Sequence, residues 1–180
     1  MKTAILSDIH GNREALSVIL DSVKKNGAES IIILGDIIDY GPHSDEVIEM
    51  IKEIPLPLVC NIWGNHESAV MNEEYERFSS ERGRESAIFT RNNLSEKSFS
   101  YIKNEMTNDG IYEFSLGNLK CLAVHGSLKD IYWKAIRPTD DFSSYKEYDY
   151  VFSGHSHFPH FFEIYYDADA PLMRNKKKTV

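Results

Sequence analysis

The chain has little cysteine, a deficit of positive charge and no long apolar run. Of its 180 residues only Cys60 and Cys121 are cysteines, both inside apolar stretches and not paired as Cys-x-x-Cys. A disulfide scaffold or thiolate zinc site is thereby excluded, and the two read as buried, reduced, structural thiols. Lys and Arg number 20 against 28 Asp and Glu, a net charge of −8. Binding along a nucleic-acid backbone normally needs a basic face, so nucleic acid is not the expected partner. The single basic run, Arg174 with Lys176, Lys177 and Lys178, reads as a solvated tail. No apolar run approaches the ~20 residues of a membrane span. Met1-Lys2-Thr3 leads straight into a strand pattern, not a signal peptide, so no membrane partner is expected and the expected location is the cytoplasm.

What is present fits one α/β domain over residues 1–180. Hydrophobic residues make up 42% and aromatics 12%, an ordinary globular composition. Short apolar runs at 2–7, 30–34 and 58–63 alternate with helical stripes, Ala15, Val18, Ile19 and Val23 in the first and Val47, Ile48 and Ile51 in the second, with Ser44 as the expected N-cap. That βαβαβ order implies right-handed crossovers and a largely parallel sheet. Residues 67–107 are polar and helical in character and read as a helical cap over a site. Runs at 111–116 and 119–124, joined by Gly117-Asn118, read as a hairpin.

Five of the seven histidines stand at the ends of these runs, beside glycines or carboxylates. Asp8 and His10 follow the first run and Asp36 the second. Asn65 and His66 follow the third. His125 comes after 121–124, and His155 and His157 after 151–154. Open sheets place ligand sites at the carboxyl ends of their strands, which is where each group would stand. In extended chain Asp8 and His10 would project to one side, as would His155 and His157. Mixed carboxylate and imidazole donors suit manganese, iron, zinc, cobalt or nickel.

The blocks Asp8-Ile9-His10, Gly35-Asp36, Gly64-Asn65-His66-Glu67, His125-Gly126 and Gly154-His155-Ser156-His157, in that order, resemble the calcineurin-like metallophosphoesterase superfamily. Asp39-Tyr40-Gly41-Pro42 and residues 89–94 resemble its small prokaryotic branch that includes dinucleoside tetraphosphate hydrolases. The resemblance implies a sandwich of mixed β-sheets flanked by helices and a site for two divalent ions, with manganese the natural choice in vitro. Asp8, His10, Asp36 and His157 would hold one ion, and Asp36, Asn65, His125 and His155 the other, with Asp36 bridging. His66 would protonate the leaving oxygen while Asp39 orients it. Asn65 and His66 would contact substrate phosphate, and Asn12, near a helix N-terminus, reads as a further phosphate donor or simply as an N-cap. The implied reaction is attack by a metal-activated hydroxide on a phosphoester or phosphoanhydride of a small phosphorylated substrate, a phosphodiester or dinucleoside polyphosphate.

Two readings compete with it. One is a phosphomonoesterase or protein phosphatase, although Tyr40 stands where the protein phosphatase branch has an arginine; Arg82, Arg84 and Arg91 are candidate phosphate ligands. The other is a silent scaffold of the same fold. Family length implies that strands are missing after the last histidine block, leaving an open sheet edge that a second copy would cover.

Overall fold

Strand β2 (Ser30–Ile33) is buried at every position, and its sequence accordingly shows no apolar alternation. It lies between β1 (Thr3–Leu6) and β3 (Leu58–Asn61), parallel to both. Chain order makes α1 (Arg13–Lys25) and α2 (Ser44–Lys52) the two connections, for which right-handed crossovers are the rule. The computed structural model describes residues 2–166 and 176–178.

Side chains of β2 point alternately to two cores. Ile31 and Ile33 join Leu16, Val47, Ile48 and Ile51 on the helical side. Ile32, with Leu34, Cys60 and Ile62, packs on Ala123, Phe114 and Phe152 of a second sheet. Each fully buried isoleucine contributes about 1.5–3 kcal/mol, so β2 anchors both layers. The second sheet runs β4 (Ile111–Leu116), β5 (Leu119–Val124), β6 (Tyr150–Ser153); β4 is antiparallel and β6 parallel to β5. Its hairpin turns at Gly117, whose φ of +64° suits glycine. The fold is thus a mixed α/β sandwich.

Several expectations change on inspection. The α1 stripe is rotated: Leu16, Leu20 and Val23 face the core, while Val18 and Ile19 are exposed. This helix is apolar over more than one face, so spacing alone did not select the packed one. Ser44 is the first residue of α2, not its N-cap; His43 holds that position, and the Ser44 hydroxyl accepts from the Asp39 N–H at 3.1 Å. The segment 67–107 is helical as expected, in α3 (Asn65–Asn72), α4 (Glu81–Asn93) and α5 (Glu96–Asn104). Yet Val70, Phe78, Ala87, Tyr101 and Ile102 belong to the main core, so these helices are a wall of the domain. Lys176–Lys178, expected as a solvated tail, forms strand β8, antiparallel to β7 (Phe161–Glu163). Arg174, Thr179 and Val180 lie outside the described residues. No described helix is long and apolar enough to cross a membrane. Cys60 and Cys121 are buried and free, and burial pushes the Cys60 thiol up to about 12.

Candidate metal centre

The chain leaves β1, β2 and β6 through left-handed kinks. Positive φ is found at Asp8 (55°), His10 (50°), Asp36 (53°), Asp39 (70°), Tyr40 (60°), His155 (63°) and His157 (53°). Among the described non-glycine residues, only Glu73 at the end of α3 shares this conformation. Asp and His tolerate it better than most residues, but each such position costs about 1–3 kcal/mol unless its surroundings fix it. Backbone bonds supply that fixing: Asp8 N–H to Gly35 O (3.1 Å), His10 N–H to Asp36 O (2.9 Å) and Gly11 N–H to Ile37 O (2.9 Å) zip the first two loops together. The period-two expectation for Asp8/His10 and His155/His157 therefore fails. These residues converge because the chain turns, not because it is extended.

Two groups form, Asp8 with His10 and His157, and Asp36 with His125 and His155; within each, one donor atom per residue lies within 4.8 Å of the others. His10 Nε2 is 3.1 Å from His157 Nε2, and His157 Nε2 is 3.4 Å from Asp8 Oδ1. Asn65 Oδ1 is 3.0 Å from His125 Nε2 and 2.9 Å from His155 Nδ1. Asp36 Oδ2 joins the groups, 3.3 Å from His125 Nε2 and 3.8 Å from His10 Nε2. His155 also donates its backbone N–H to both Asp8 oxygens at 3.1 Å.

Proton positions follow from the partners. The Leu34 carbonyl, 2.6 Å from His125 Nδ1, can only accept, so that nitrogen carries a proton. His125 Nε2 then faces two oxygen acceptors, a place that requires a second proton or a cation. Burial opposes a charged ring, but Asp36 outweighs it and lifts His125 to about 9. The same histidine holds Asp36 well below the usual carboxylate range against its burial. For His10, burial dominates and lowers its basicity despite Asp36. Burial, then the charge of His125, lowers His155.

His66 stands on α3 beside these groups, and its ring nitrogens are differently engaged. Its Nδ1 is 2.7 Å from Asp39 Oδ2. Asp39 is fully buried and its Oδ1 accepts from the Tyr40 N–H (2.7 Å), the Ser86 hydroxyl (2.5 Å) and the Thr90 hydroxyl (2.9 Å). Burial disfavours the His66 cation, but Asp36 and Asp39 together raise it. His66 is also near enough to His10 and Asp36 to form a third donor group.

One functional position carried no role in the sequence reading. Glu67 is fully buried and accepts four backbone N–H groups, from Gly64 (2.7 Å), Asp36 (2.8 Å), Ile37 (2.8 Å) and Ile38 (3.2 Å). It pins the Asp36 loop to the start of α3, where Gly64 leaves room for Asp36; a Cβ there would lie 2.1 Å from Asp36 Oδ1. A glutamate three residues after a glycine before a helix is a capping signal, but its reach to another strand's loop has no sequence signature.

Other candidates have different partners. Asn12 caps α1, its side chain accepting from the Ala15 N–H at 3.0 Å. Arg84 pairs with Glu76 and Arg91 with Glu73, and Arg91 lies over the Phe99 ring. Among the described residues no lysine or arginine pairs with Asp8, Asp36 or Asp39.

The family model of calcineurin-like phosphoesterases matches residues 1–159. The chain belongs to this family. An uncharacterised protein of Methanocaldococcus jannaschii is 28% identical over 186 residues, covering 96% of this chain and 73% of that one. Phosphodiesterase YfcE of Escherichia coli K12 is 31% identical over 78 residues, which are 39% of this chain and 42% of YfcE. The crystal structure of a metallophosphoesterase from Sphaerobacter thermophilus superposes with a TM-score of 0.65 at 26% identity, covering 89% of this chain and 62% of that one. This calcineurin-like phosphoesterase is a phosphoester hydrolase of a metal-dependent family, and its Asp and His groups can bind metal.

Proposed function

We propose that this phosphoesterase cleaves phosphodiester or phosphoanhydride bonds of small phosphorylated substrates with two divalent ions. Asp8, His10, His157 and Asp36 would hold one, and Asp36, Asn65, His125 and His155 the other. The donor chemistry fits: ring nitrogens face one another and face oxygen acceptors, an arrangement that positive charge relieves. Bound ions would supply Lewis acidity at the phosphoryl oxygens and acidify the attacking water.

The observation that carries the reading is the His66–Asp39 pair. With Nδ1 held by Asp39, His66 keeps Nε2 for the substrate. His66 therefore delivers a proton to the leaving oxygen, and Asp39 fixes the ring and stabilises its charge. The scaffold reading loses ground because a buried, paired acid has no use there. Diester and anhydride substrates are favoured over monoesters because Tyr40 stands where a protein phosphatase would offer an arginine, and Arg84 and Arg91 are paired with Glu76 and Glu73. The name of YfcE agrees with a phosphodiesterase over the shared 78 residues.

The test is a panel of phosphomonoesters, phosphodiesters and dinucleoside polyphosphates, assayed with manganese after chelator treatment. Turnover of diesters or polyphosphates above monoesters is expected. Silence on all of them would favour the scaffold.

A further inference from the structure

Tyr40 stands in the wall of the site and takes no part in the chemistry above. Its ring centroid is 4.4 Å from that of His66 and 4.9 Å from that of His10, yet the residue is 53% exposed. Its backbone has a φ of +60°, a conformation that a glycine would adopt freely and a bulky aromatic adopts at a cost. That conformation is locked by its N–H, which donates to Asp39 Oδ1 at 2.7 Å and to Ser86 Oγ at 3.3 Å. The phenol oxygen has no hydrogen-bond partner among the described residues. The N–H bonds account for the backbone, but neither burial nor a polar contact of the side chain accounts for an aromatic here. Two histidines back the ring while half the residue faces solvent.

From this geometry we infer that Tyr40 is a stacking platform for a planar aromatic group on the leaving side of the substrate, a nucleobase or an aryl ring. The inference rests on the phosphodiesterase reading. The leaving side follows from contact: Tyr40 packs on His66, whose proton goes to the leaving oxygen, so a group bonded to that oxygen passes over the phenol ring. Every base and aryl group has a π-face, which makes such recognition broad in sequence and selective against alkyl groups.

The experiment compares Tyr40→Gly, which suits the backbone, with Tyr40→Leu, Tyr40→Phe and Tyr40→Trp. Three diesters are used with manganese: bis(p-nitrophenyl) phosphate, a dinucleoside monophosphate, and glycerophosphoglycerol followed by phosphorus NMR. Tyr40→Gly and Tyr40→Leu should raise KM about tenfold or more on at least one aromatic diester and leave KM for the alkyl diester unchanged, with kcat held within about twofold. Tyr40→Phe and Tyr40→Trp should keep the wild-type KM. A rise confined to the dinucleoside identifies a base as the occupant, and one confined to the nitrophenyl diester identifies a small aryl group. Equal KM changes on all three substrates, or a fall in kcat alone, would overturn the inference and make Tyr40 a positioning residue for His66. Wild-type protein silent on every diester would instead overturn the phosphodiesterase reading.

Discussion

At the residue scale, the site divides into groups that face one another and a group that faces elsewhere. His66 binds Asp39 through Nδ1 while His10 and His125 use Nδ1 on the carbonyls of Ile38 and Leu34. On the proposed reading, that difference gives His66 its separate role. His66→Ala should lower kcat by about 10²–10⁴ on alkyl diesters, with a smaller loss on p-nitrophenyl diesters, whose leaving group needs less protonation. Equal losses on both, read from initial rates, would remove the acid role. Glu67 makes a second residue-scale prediction. Glu67→Ala leaves four buried N–H groups without acceptors and should destabilise the protein by roughly 3 kcal/mol or more in a denaturant titration. The identity of the histidines and carboxylates was legible in the sequence because Asp-x-His and Gly-Asn-His-Glu are chemically unusual strings. The contacts of Asp39 with Ser86 and Thr90 were not, since they join residues 47 and 51 positions apart.

At the element scale, strands were legible and helix faces less so. β4 and β5 match their expected spans, because a hairpin is specified locally by its turn and its alternation. In α1 the apolar residues cover too wide an arc for spacing to choose among them, and packing on β2 made the choice. The Asp8/His10 and His155/His157 loops differ from expectation because extended geometry stops at the ends of β1 and β6, where these residues are left-handed. Helices α3 to α5 offer the test at this scale. Ile102 on α5 is fully buried against the main core, and Ile88 on α4 is 42% exposed. Ile102→Ala should cost about 2–5 kcal/mol of global stability, whereas Ile88→Ala should cost within about 0.5 kcal/mol. A small effect of Ile102→Ala on the thermal midpoint would mean that these helices form a detachable lid.

At the scale of the whole molecule, strand ends from both sheets converge on one site: β1, β2 and β3 deliver Asp8, Asp36 and Asn65, and β5 and β6 deliver His125 and His155. The parallel crossovers and the hairpin could be anticipated from chain order and the sandwich from the family resemblance; the division of β2 between two cores is set by tertiary packing. A net charge of −8 surrounds a cluster that gathers carboxylates and imidazoles, so local positive charge must attract anionic substrates. Metal should also raise the thermal midpoint, since ions that bind the assembled site stabilise only the folded chain. The most direct measurement is a calorimetric titration of manganese into chelator-treated protein, wild type beside His66→Ala and Asp36→Asn. Two equivalents should bind to wild type and to His66→Ala, and fewer to Asp36→Asn, where the shared carboxylate is gone. Binding near zero in wild type, or a site emptied by His66→Ala, would contradict the account.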